Sequence, residues 1–194
     1  MRISEVQQGH IVEQEFAKLL MIGSKGRIEL APPLTDDERR DFEIHVRGQF
    51  GFALAIQVKG TMHLQREGHA IPRLHRAFQV PTRRIITSPL FYYFLAYLDP
   101  KLMRLVDPAF LVPSSVFHKH AGPRRYGTNT QFTFMGTMSA TSHDRWRPFQ
   151  VNTLELGAKM LEIIAGLRRH RDLAEQSAAV LSIPGSLRVQ LAAA

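Results

Sequence analysis

The sequence predicts one α/β domain, a mixed central β-sheet with helices near both ends of the chain. Amphipathic helical patterns with capping signals stand near either end, two period-two runs fill residues 41–59, and an aromatic run covers residues 90–98. A chain of 194 residues is long enough to bury a sizeable core. Its 44% hydrophobic and 22% charged residues are globular in balance and argue against disorder. The domain is expected over residues 1–182. Residues 183–194, broken by Pro and Gly and ending in Ala, read as a flexible tail.

The first helix is expected from about Glu5 to Ile22. Ser4 and Gln7 have capping-box spacing, Val12, Phe16, Leu19 and Leu20 make an apolar stripe, and Gly23 and Gly26 end it. Arg27–Ala31 is a short strand that Pro32 and Pro33 stop, and a charged turn follows over residues 35–40. Phe42, Ile44 and Val46 then alternate with polar residues, as do Phe52, Leu54, Ile56 and Val58 with Ala53, Ala55, Gln57 and Lys59. Both runs have period two, which is a hairpin with one apolar face. An odd loop at Gly48–Phe50 sets Arg47 opposite Gly51 and Asp41 opposite Gln57. Lys59, two residues on, then shares their face.

Residues 60–84 are rich in His and Arg and weakly periodic, so they read as a loop or irregular insertion. Leu90–Leu98 reads as a buried strand. Leu102–Val106 and Ala109–Pro113 read as short strands separated at Pro108, and Gln131–Met135 as another. Asn152 with Glu155 marks a second capping box. The helix after it carries one stripe of Leu154, Ala158, Leu161 and Ala165, widened by Leu156, Met160, Ile163 and Leu167.

The net charge is +8, and it is unevenly placed. Residues 1–60 hold 8 basic and 9 acidic residues, whereas residues 61–194 hold 17 and 8. A basic surface of this kind suits a polyanionic partner. The absence of cysteine excludes disulfides, zinc–thiolate sites and thiol nucleophiles, and fits a cytoplasmic location. No apolar run is long enough for a membrane helix. Ser114-Ser115 lacks a nucleophile elbow, and no phosphate-cradling glycine motif occurs. His118 and His120 form the tightest histidine pair, without the carboxylates or spacing of a metal site.

The chemistry of the hairpin points to phosphodiester hydrolysis. That reaction uses a hard divalent cation, Mg²⁺ or Mn²⁺, held by oxygen ligands. Asp41 offers a carboxylate, Gln57 an amide oxygen and Val58 its backbone carbonyl. Lys59 can orient the attacking water and neutralise developing charge. Glu13 on the first helix can complete the ligand shell directly or through water. Glu43, on the polar side of the same strand, is the substitute ligand in a shifted register.

Gly9-x-x-x-Glu13 in a first helix, Arg40-Asp41-Phe42 entering a strand and Ile56-Gln57-Val58-Lys59 ending the next resemble the PD-(D/E)XK nuclease superfamily. The likeness is to branches with a Q-x-K third motif, such as the Mrr-type restriction endonuclease domain, and it covers residues 5–60. It implies a restriction-endonuclease-like core and a nuclease acting on nucleic acid, DNA before RNA, as a homodimer. It also implies that Asp41 and Gln57 are metal ligands, Lys59 the catalytic lysine and Glu13 the helix carboxylate. Two positions depart from the superfamily pattern: Gln57 stands where an acidic residue is usual, and Arg40 where a proline precedes the aspartate. A nuclease fold that binds or regulates without cutting is therefore the alternative. Arg124 and Arg125, beside Tyr126, and Arg83 and Arg84 are the expected contacts to the nucleic-acid backbone. Trp146, between Arg145 and Arg147, is expected in the core.

Overall fold

A computed structural model of the chain describes residues 3–33, 40–49, 51–66, 71–141 and 143–180. The expected tail, most of the charged turn and Phe50 of the hairpin loop lie outside the described residues. Helix α1 (Glu5–Gly23) is followed by strands β1 (Ile28–Ala31), β2 (Phe42–Val46) and β3 (Leu54–Thr61). Then come β4 (Leu64–Gln65), β5 (Arg73–Pro81), β6 (Phe91–Asp99), β7 (Arg104–Pro113) and helix α2 (Ser114–His120). Strands β8 (Arg124–Tyr126), β9 (Asn129–Thr137) and β10 (Gln150–Val151) precede helix α3 (Leu156–Val180).

These strands make two sheets. The six-stranded central sheet has the order β1-β2-β3-β6-β7-β10, and the four-stranded second sheet β4-β5-β9-β8. Only β3 and β6 run parallel in the central sheet, which makes it mixed. This is the α/β class that the sequence predicts.

The central sheet is covered on both faces. Helices α1 and α3 cover one, where Val12, Phe16 and Leu20 meet Ile44, Leu54, Ile56 and Phe94, with Leu156, Met160 and Ile164 from α3. Each of these side chains contributes about 1.5–3 kcal/mol by leaving water. The second sheet and α2 cover the other face through an aromatic cluster that includes Tyr93, Phe110, Phe117, Phe132, Phe134 and Trp146. Strand β6 lies between the two cores. Its Phe94, Ala96 and Leu98 face the helices while Phe91, Tyr93 and Leu95 face the second sheet. Burial on both sides is why its sequence is continuously apolar rather than alternating.

Helix α1 begins as expected, with Ser4 and Gln7 bonding each other's backbone N–H. Helix α3 begins differently. Asn152 accepts from Leu154 N–H at 2.9 Å, and a 3₁₀ turn over Thr153–Glu155 precedes the α-helix. That turn changes the phase of the helix, so the buried stripe is Leu156, Met160 and Ile164, while Leu154 is 74% exposed. Gly157 lets the start of α3 meet the end of α1. A Cβ there would lie 2.1 Å from the Ser24 nitrogen and 2.3 Å from the Gly23 carbonyl carbon.

Three expectations for the middle of the chain are corrected. Residues 60–84 are largely ordered strand, since β3 runs to Thr61 and β4 and β5 begin the second sheet. The two short strands around Pro108 are one, β7, which passes through a cis Asp107–Pro108 bond. Strand β9 extends beyond Gln131–Met135 and pairs along its whole length with β5.

Candidate active site

The β2–β3 hairpin has the expected register, with Phe42 paired to Ile56, Glu43 to Ala55 and Ile44 to Leu54. The apolar members of the pairs face α1, and Arg168 and Arg171 of α3 hold the turn through Gln49 and the Gly51 carbonyl. Asp41 departs from the simple ladder. It sits at a bend before β2, where its N–H donates to the Ile56 carbonyl at 2.8 Å. Its Oδ2 accepts from the Val58 N–H at 2.5 Å. Asp41 therefore bonds both neighbours of Gln57 instead of standing across from it. β2 has ended at this point, and the carboxylate takes the donor that a longer strand would have used. The Val58 carbonyl leaves β3 on the same side as its N–H.

Gln57 and Lys59 project toward the second sheet. Gln57 is 4% exposed, and its amide makes no hydrogen bond among the described residues. Lys59 places its ammonium 5.8 Å from the ring centre of Phe78 on β5. The structure thus gathers Asp41, Gln57, Val58 and Lys59 along one stretch of β3. The Glu13 carboxylate lies 3.4 Å from His10 on its own helix. Gln8 of α1 is the helix residue that reaches β3, donating to the Gly60 carbonyl at 3.3 Å. Glu43 pairs with Arg40. Among the described residues, no three His, Cys, Asp or Glu side chains come together as a metal cluster.

A second polar group stands beside Gln57. Tyr93 is its partner on the parallel strand β6. The Tyr93 hydroxyl lies 2.9 Å from His118 Nε2, and His118 Nδ1 lies 2.8 Å from the Thr87 hydroxyl. A neutral imidazole satisfies both contacts, one nitrogen donating and the other accepting. Burial pushes His118 below its ordinary pKa of 6.5 and Tyr93 well above its ordinary 10. With both ring nitrogens engaged, His118 is a structural hydrogen-bonding residue, and His120 packs edge-on to Trp146. Spacing singles out His118 of this group but not Tyr93, which looks like any aromatic in an apolar run.

The basic residues fall on the second sheet and its connections. Arg83, in the 3₁₀ turn Thr82–Arg84, and Arg125 of β8 line one cleft of about 660 Å³ with Pro81, Thr82, Thr128 and Asn129. Arg124 is exposed on the same strand, and Arg84 follows Arg83 in the turn. A groove of about 1020 Å³ lies on the outer face of β5 and β9, where Arg73, His120, His143 and Arg145 line it. Trp146 is 3% exposed and packs on Phe134 at 4.8 Å, in the core as expected.

No protein-family model matches the sequence, and no curated protein matches it. Among solved structures, the chain is similar to a bacterial homing endonuclease, I-Ssp6803I. They share 17% identity over 87% of this chain and 99% of the other, with a TM-score of 0.52. At that identity the likeness is one of fold. No helix among the described residues is long and apolar enough to cross a membrane.

Proposed function

We propose that this chain is a metal-dependent endonuclease that hydrolyses phosphodiester bonds of DNA. The observation that carries the reading is the Asp41–Val58 bond, which fixes a carboxylate at β3 between Gln57 and Lys59. The nuclease-like fold supports it, as does the arginine-lined cleft.

The residues at β3 fit a hard divalent cation, Mg²⁺ or Mn²⁺. The donors are all oxygens: the Asp41 carboxylate, the Gln57 amide and the Val58 carbonyl. The Gln57 side chain is largely buried beside Asp41 and its amide oxygen is not taken by a protein donor, so it is available to such an ion. When bound, the cation supplies positive charge to the phosphate and acidity to a bound water. Lys59 adds a fixed ammonium that stabilises the charge developing on the phosphoryl oxygens and orients the attacking water. Asp41 is oriented in advance by its bond to Val58, so little reorganisation accompanies the reaction. Glu13 would join through a water after leaving His10.

The proposal extends to a single domain over residues 1–182, a homodimer, DNA in preference to RNA and a cytoplasmic setting. Arg83, Arg84, Arg124 and Arg125 would contact the backbone.

Supercoiled plasmid incubated with Mg²⁺ tests the activity. Wild-type protein is expected to nick or linearise it, and EDTA to stop the reaction. Asp41→Asn and Lys59→Met are expected to slow cutting by at least about 10²–10³-fold while still binding DNA. Wild-type binding without cutting, on duplex and single-stranded DNA alike, would establish the non-cleaving alternative.

A further inference from the structure

The inward row of β5 is Leu74, Arg76, Phe78 and Val80. Leu74 and Val80 are buried and Phe78 joins the aromatic cluster, so Arg76 is a cation in an otherwise apolar row. Its side chain is only 29% exposed, and its Nε is shielded from solvent with no acceptor among the described residues. The other end of the guanidinium lies 4.0 Å from the carboxylate of Glu5, whose own side chain is 87% exposed. That is a long contact to a well-hydrated partner, and such pairs hold weakly.

Three contacts place this guanidinium. Glu5 is in the first turn of α1, and Gln8, one turn further, donates to the Gly60 carbonyl of β3. Phe78, the next inward residue of β5, lies under the Lys59 ammonium. Arg76 therefore reaches from the second sheet past the Lys59–Gly60 end of β3 toward α1. The Nε–H and a terminal N–H of arginine form the planar fork that binds two oxygens of a phosphate.

We propose that Arg76 is a phosphate contact of the β3 site, contributed by the second sheet, with Glu5 as the carboxylate that a DNA phosphate displaces. This rests on the nuclease reading above. It assigns the second sheet a part in the site itself, beyond the backbone contacts of Arg83, Arg84, Arg124 and Arg125.

The test is the salt dependence of binding to a labelled DNA duplex in EDTA, where nothing is cut. Loss of one phosphate contact is expected to lower the slope of log K against log salt by about 0.9 in Arg76→Met. Arg76→Lys keeps the charge and should retain the slope. Glu5→Gln, on an exposed side chain, should tighten binding because it removes the competing carboxylate. Thermal melting confirms that the variants fold. If Arg76→Met has the wild-type slope, or Glu5→Gln leaves affinity unchanged, the Arg76 assignment is wrong and the nuclease reading stands. Wild-type protein that shows no salt-dependent affinity would overturn both. Inorganic phosphate serves as competitor. If it binds wild type and not Arg76→Met while the DNA slopes are equal, the site takes free phosphate and not the DNA backbone.

Discussion

Helices α1 and α3 cover one face of the central sheet, and a second sheet covers the other. The helical face is apolar and packed to backbone contact. Phe16 lies 4.7 Å from Phe94, and Gly157 admits no side chain between α1 and α3. The opposite face buries more aromatics and also holds polar groups: Gln57, Lys59 and the Tyr93–His118–Thr87 chain. A helix presents an apolar stripe to a sheet, whereas here β3, β6 and α2 turn polar side chains to the side that the second sheet covers. The buried polar groups of this fold accordingly lie between the sheets.

The largest expected effects test whether both coverings belong to one folding unit. Phe94→Ala on the helical side and Phe117→Ala on the other should each cost about 3–5 kcal/mol in urea denaturation. Both side chains are fully buried, and Phe117 touches Phe78, Tyr93, Phe132, Phe134 and Trp146. A cost near zero at Phe117 would mean that the second sheet is an appendage. Gly157→Ala should cost about 1–3 kcal/mol by forcing α1 and α3 apart, and an unchanged urea midpoint would show that the helices meet elsewhere. Tyr93→Phe removes one partner of a buried pair and should cost about 1–3 kcal/mol.

A pH effect follows from the same group. His118 in the folded protein sits below its ordinary 6.5, so the unfolded chain takes up a proton first as the pH falls. Stability is therefore full above about 6.5 and declines as pH drops from there toward the folded value. Urea midpoints measured from about pH 8 to about pH 5 should show this decline, and His118→Gln should flatten it. A steeper acid loss in His118→Gln than in wild type would contradict the neutral, doubly bonded imidazole. The smallest effect is expected at the hairpin turn. Arg168→Ala removes an exposed contact to Gln49 and should cost less than about 1 kcal/mol.

The helical face was legible in the sequence, and the second sheet was not. Alternation over Phe42–Val46 and Phe52–Val58 and an odd turn determine a single register, and Ser4 and Gln7 mark the start of α1. The continuous apolar run of β6 marks a buried strand without saying what buries it. Strand β5 escaped notice because its alternation is broken inward by Arg76 and diluted outward by His75, Ala77 and Gln79. Strand β8 is exposed throughout and carries no pattern at all. At the site, Asp41, Gln57 and Lys59 were legible as types and spacing. The bend that turns the Asp41 carboxylate to Val58 was not, because it depends on where β2 ends. Neither was the approach of Gln8 to β3.

The most direct measurement is anomalous diffraction from crystals soaked in Mn²⁺. The expected result is a peak within ligand distance of Asp41 and Gln57, lost in Asp41→Asn. A peak held by other residues, or an unchanged peak in Asp41→Asn, would contradict the assignment of this stretch of β3 as the metal-binding active site.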